Sequence, residues 1–179
     1  MKKPTLIAFL FFVLSSFNSF AQINVDPNTG RGTLVINGKT YRIGPNANFD
    51  SVQLSIPFFG SINSADLVNS TFRNTEITQL QFYKCNLSNV DFSGSKLKEI
   101  TFVECNMTGV KLEKLTKFSY CIIRDCNISG VNFSFAIGDP DPFDDPNSKY
   151  PFFYFRQSGN SGTPVLPDRW DFRNGYIDG

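Results

Sequence analysis

Four cysteines (Cys85, Cys105, Cys121 and Cys126) and four aspartates (Asp139, Asp141, Asp144 and Asp145) are the residues of this chain best suited to chemistry. Thiols can pair as disulfides or bind a metal, and clustered carboxylates can offer calcium hard oxygen ligands. The chain has no histidine among its 179 residues. That removes Ser-His and Cys-His nucleophile pairs and imidazole metal ligands. The acidic stretch 138–146 departs from the EF-hand pattern. Counted from Asp139, Phe143 stands at the fifth position and Asp144 replaces the glycine expected at the sixth. Pro140, Pro142 and Pro146 also restrict how the carboxylates converge, so a solvated loop is the expectation. Tyr150, Phe152, Tyr154, Trp170 and Tyr176 supply a third kind of candidate. They either cover the end of the preceding domain or contact a partner or a second copy.

The spacing of the cysteines leads back to the elements that must position them. Cys85, Cys105 and Cys126 lie 20 and 21 residues apart, inside a longer periodicity. From Ile62 to Leu112 a large apolar residue recurs every fifth position, with Phe82, Phe92 and Phe102 among them. After one extra residue the series resumes at Phe118 and ends at Phe133. Neither a helix nor a strand has a period of five. A second column, two residues earlier, is mostly small or β-branched and contains all four cysteines. Residues between the columns are mainly polar. Two inward and three outward residues per five describe a short strand with a turn at each corner. Asn, Ser and Gly suit such turns. Cys85-Asn86-Leu87-Ser88-Asn89 returns as Cys105-Asn106-Met107-Thr108-Gly109 and as Cys126-Asn127-Ile128-Ser129-Gly130. Four fives therefore make one turn, and like residues stack on like at about 4.8 Å.

These fives resemble the pentapeptide-repeat family. Ala65-Asp66-Leu67-Val68-Asn69 matches its consensus Ala-(Asp/Asn)-Leu-X-X, and the three cysteine-led fives are variants of it. The resemblance implies an all-β fold, a right-handed quadrilateral β-helix, over about residues 60–135, and it implies no catalytic residues and no cofactor. In that fold Cys85, Cys105 and Cys126 form one inward column, with Cys121 on the adjacent face. A ladder of buried thiols acting as small hydrophobes is then expected. Side chains running parallel along a stack disfavour a disulfide, and a linear ladder lacks tetrahedral convergence for a metal.

The flanks differ in composition. Residues 1–21 read as a secretory signal. Lys2 and Lys3 precede an apolar run over 6–14, and Ser19-Phe20-Ala21 offers a cleavage site before Gln22. That run is too short to span a bilayer core of about 30 Å. Export to a periplasm or the exterior is expected, with no membrane insertion after cleavage. Residues 22–59 carry a hairpin, with strands over 33–36 and 39–43 around Asn37-Gly38, and are expected to cap the first turn. Residues 136–179 form a Pro-, Asp- and aromatic-rich tail. Without Lys2 and Lys3 the chain has 15 basic against 16 acidic residues, which leaves no electrostatic footprint for nucleic acid. The repeat itself carries eight Lys/Arg and seven Asp/Glu, unlike the acidic surface that DNA mimicry requires. The sequence thus points to a secreted, non-catalytic structural or protein-interaction scaffold, with a protein partner or a homodimer. The alternative is a carbohydrate- or surface-binding module that uses outward Asn/Ser and Tyr/Trp positions.

Overall fold

The computed structural model describes residues 22–114, 116–138, 153–154 and 161–164. Three coils of nearly equal length, residues 64–83, 84–103 and 104–124, stack in parallel register. Asp66, Asn86, Asn106 and Asn127 lie directly above one another, and so do Thr71, Asp91 and Lys111. The other two faces are strands: β5 (Glu76–Tyr83), then β6 (Lys96–Lys98) and β7 (Thr101–Val103), then β8 (Thr116–Ser119) and β9 (Cys121–Arg124). The result is an all-β, four-sided solenoid. No helix among the described residues is long and apolar enough to cross a membrane.

The corners explain why the period is five. Asn69, Asn74, Gln79, Lys84 and Asn89 have φ between 54° and 57°, and the series continues through Gly94, Glu99, Glu104 and Gly109. Each lies two residues after a large inward side chain and turns the backbone through the left-handed region. Gly and Asn enter that region readily, whereas Lys, Glu and Tyr are strained there by about 1 kcal/mol. The strain is tolerated because bonds to the next coil fix each corner: Lys84 N–H donates to the Val103 carbonyl at 2.9 Å, and Glu104 N–H to that of Arg124 at 3.0 Å. At Gly94, φ 73°, a Cβ would come within 2.5 Å of Asn74 Oδ1. A side chain at that corner would require Asn74 to move aside.

Inside, the five-residue column fills the coil. Phe49, Phe72 and Phe92 stack with ring centroids 4.5 and 5.1 Å apart, and Phe82 stacks on Phe102 at 5.3 Å. The two stacks meet edge to face at 6.3 and 6.2 Å. All five rings are buried. The column two residues earlier holds a feature that its small size alone does not explain: its hydroxyls and thiols are donors. Thr75 bonds the Phe49 carbonyl at 2.8 Å, Ser95 that of Phe72 at 2.7 Å and Thr116 that of Phe92 at 3.0 Å. Each reaches across a corner to the coil below and satisfies a carbonyl there.

Stacking continues beyond the uninterrupted fives. Phe49 N–H donates to Thr71, and β4 (Gln53–Asn63) pairs with β5. Between Leu54 and Ile62 the chain takes eight residues where Ile77 to Phe82 takes five, and the register shift falls between Ser55 and Gly60. Pro57, which has no N–H for a ladder, lies in that bulge. Before it, β1 (Gln22–Asp26), β2 (Arg31–Ile36) and β3 (Lys39–Ile43) form an antiparallel sheet. Asn37 and Gly38 both have positive φ, as a type I′ turn requires. Leu34, Ile36 and Ile43 join the coil's core, and Tyr41 stacks on Phe49 at 6.0 Å. At the other end β10 (Ala136–Gly138) lies on β8, β11 (Phe153–Tyr154) on β9, and Ser161 on Asn127.

Two substitutions separate the packing contribution from the donor contribution. Phe92→Ala is expected to lower unfolding stability by about 3–5 kcal/mol. Thr116→Val, which keeps the shape and removes the donor, is expected to lower it by about 1–3 kcal/mol. Urea unfolding followed by circular dichroism measures both.

Candidate functional site

The structure places the thiols inside. Cys85, Cys105, Cys121 and Cys126 are all buried and unbridged. Like the hydroxyls of their column they donate to the coil below: Cys85 to the Ile62 carbonyl at 3.2 Å, Cys105 to Phe82 at 3.3 Å and Cys121 to Leu97 at 3.3 Å. Cys126 Sγ accepts from Cys105 N–H at 3.3 Å. Burial pushes the Cys121 thiol up to about 12. The contact with Cys126 would lower Cys105, but Cys85 and burial outweigh it and leave Cys105 at about 12. The contact with Cys105, followed by burial, raises Cys126 further, while the same ladder pulls Cys85 down. Burial keeps all four from reagents, and the upward shifts at Cys105, Cys121 and Cys126 make those thiols poor nucleophiles.

Among the described residues no group of three or more His, Cys, Asp or Glu is placed to hold a metal. The calcium candidates Asp139, Asp141, Asp144 and Asp145 lie outside the described residues, as do Tyr150, Phe152, Trp170 and Tyr176. Of Tyr154 only the backbone is placed, in register above Ile122.

What remains for contact is the outer surface, one character to each face. On the asparagine face, Asn86 Oδ1 accepts from the Ser88 N–H and hydroxyl at 3.3 and 2.8 Å. Asn106 does the same with Thr108 and Asn127 with Ser129. Asn86 Nδ2 donates to Asp66 at 3.0 Å. This ladder is bonded largely to itself. Ile122, 36% exposed, points outward from β9, and Tyr120, 43% exposed, stands at the corner before it. The face of β6 and β8 carries lysines. Lys96 and Lys117 occupy adjacent strands in register, with Lys98 two residues along.

A repeat this regular can be tested against known repeats. The model of the family "Pentapeptide repeats" matches residues 85–116 with eight copies. That stretch of the solenoid is a run of pentapeptide repeats. No curated protein matches the chain. Among solved structures it is similar to HetL, a pentapeptide repeat protein involved in heterocyst differentiation regulation from the cyanobacterium Nostoc sp. strain PCC 7120. The identity is 16% over 68% of this chain and 54% of HetL, with a TM-score of 0.22. The alignment thus spans about half of HetL. It is also similar to QnrB1, a plasmid-mediated fluoroquinolone resistance protein, with 15% identity over 76% of this chain and 81% of QnrB1 and a TM-score of 0.20. These likenesses transfer no activity and no partner.

Charges on this pentapeptide-repeat surface mostly pair along the stack. Arg73 grips Asp50 one coil below, Nη2 at 2.6 Å and Nε at 3.0 Å from Oδ2, while its N–H donates to Oδ1 at 2.9 Å. Lys84 lies 3.3 Å from Glu104 one coil above. Burial alone would raise the Asp50 carboxyl. The bonds from Arg73 outweigh it and hold the group below its ordinary 3.8. A depressed carboxylate stabilises the fold above the unfolded pKa, and that contribution is lost as pH falls through the folded value. Asp50→Asn should therefore lower Tm at neutral pH, and the difference from the parent should vanish once both are measured at acid pH below the carboxylate range. Thermal melts at the two pH values test this. A difference that persists in acid would mean Asp50 acts through packing and not through charge.

Proposed function

We propose that this chain is an exported, non-catalytic scaffold whose β-helix holds rigid outward faces for a protein partner. One observation carries the reading. The inward columns fill the coil with stacked rings, aliphatic side chains and bonded thiols, so the described solenoid offers a partner its outer surface and no enclosed site. Outward side chains stand on a backbone lattice bonded above and below, so little backbone entropy is left to lose at a contact. Export rests on the signal pattern of residues 1–21. A carbohydrate-binding role would use the asparagine face, where the Oδ1 atoms of Asn86, Asn106 and Asn127 already accept internal bonds. That occupancy favours the protein-contact reading.

The test begins with the native host. Mass spectrometry of the exported product should give an N-terminus at Gln22, and a product retaining residues 1–21 would remove the export reading. Cross-linking of that product in place should yield a defined protein partner or a homodimer, and a glycan array should show no enrichment. Selective glycan binding that Asn106→Ala abolishes would replace the scaffold reading with the carbohydrate one.

A further inference from the structure

We infer that the face built by β6 and β8 is a docking site for an acidic, extended segment of a protein partner, with Lys96, Lys98 and Lys117 receiving its carboxylates. The inference rests on the scaffold reading and names the face and the partner's chemistry. Its basis is a break in the charge pattern of the stack. In most other columns opposite charges or polar partners sit on one another: Arg73 on Asp50, Lys84 under Glu104, and Gln79 donating to Glu99 at 2.9 Å; Glu104 under Asp125 is an acidic like pair at the corners. Here like lies on like. Lys96 and Lys117 are direct neighbours on adjacent strands, about 4.8 Å apart, where like charges repel. Their compensation is slight. Lys96 reaches Glu76 below it at 3.8 Å, Lys98 reaches its own chain neighbour Glu99 at 3.9 Å, and Lys117 has no ion pair among the described residues. All three are exposed.

The surface between them is a groove of about 190 Å³, lined by Glu76, Lys96, Leu97, Lys98, Lys117 and Ser119. Its geometry selects the occupant. Lys96 and Lys98 are alternate residues of one strand, about 6.6 Å apart. Alternate side chains of an extended peptide laid alongside have the same repeat, so two carboxylates meet two ammonium groups in step while Lys117 closes over them from the next coil. A polyanion running along the rod would instead meet Glu76 in the column below Lys96. An anion across the face also relieves the repulsion between Lys96 and Lys117, which gives the site an affinity that a lone lysine lacks.

The experiment uses the exported chain, residues 22–179, and a fluorescent peptide of alternating Glu and Ser, read by anisotropy. Binding is expected at low salt and should weaken as salt rises. The Lys96→Gln/Lys117→Gln variant should weaken it about tenfold or more, and Lys84→Gln, whose partner is Glu104, should leave it unchanged. Lys117→Gln alone should raise Tm, because it removes the repulsion, and this readout also shows that the variant is folded. Equal peptide affinity in the double variant, or no binding at low salt, would overturn the inference. So would tighter binding of polygalacturonate than of the peptide. Binding that appears only after Asp139, Asp141, Asp144 and Asp145 are changed to Asn would make this chain's own acidic stretch the occupant and would equally overturn it. A cross-linked partner mapped to another face removes this site and leaves the scaffold reading standing. Peptide binding without any cross-linked partner does the reverse.

Discussion

Backbone hydrogen bonds between coils set the terms for everything else in this molecule. Each coil must return to the same register after about twenty residues and rise by one strand spacing, because only then do its N–H and C=O groups meet those above and below. Four corners per coil follow, and each forces one residue in five into the left-handed region. Gly94, Gly109 and Gly130 occupy such positions easily, yet Lys84, Glu99, Glu104 and Tyr120 occupy them too. The ladder therefore outweighs a local preference repeated at every corner. The inward columns are a second consequence. Side chains that must stack at one strand spacing favour flat rings, and the phenylalanine stacks take that form.

Departures from the period show what the constraint leaves free. One extra residue between Leu112 and Phe118 lengthens a coil, yet Thr116 still reaches the Phe92 carbonyl. The bulge between Ser55 and Gly60 adds three residues, and Ile62 still lies on Phe82. At the far end β10, β11 and Ser161 are separated by long stretches of chain and still take successive places on β8, β9 and Asn127. Insertions are absorbed at corners because the coil requires register on its faces and only a return of direction between them.

The surface obeys a looser rule. Outward side chains are set out by the lattice but not chosen by it, so each face acquires its own chemistry. The asparagine ladder turns its oxygens to Ser88, Thr108 and Ser129, which stabilises turns and leaves little for a ligand. Arg73 with Asp50 and Lys84 with Glu104 use the stack to pair opposite charges. Lys96 and Lys117 use the same geometry to oppose like charges, and that contrast distinguishes one face as a place for a partner.

The spacing of Ile62 through Phe133, the cysteine-led fives and their recurrence after about twenty residues were sufficient to establish an all-β solenoid with Phe82, Phe92 and Phe102 in one set of inward positions. A period of five is incompatible with other regular structure, so local pattern and global fold carry the same information. The earlier coil around Phe49 and Leu54 is hidden in the sequence by the three residues inserted before Ile62, and β1, with only Ile23 and Val25 apolar, reads as a polar opening. The donor role of Ser95, Thr116 and the thiols was invisible as well, because a carbonyl's need for a partner depends on the coil beneath it. The lysine face is the same kind of case. Lys96 and Lys117 are 21 residues apart in a chain of balanced charge, and only the stacking of one coil on the next makes them neighbours.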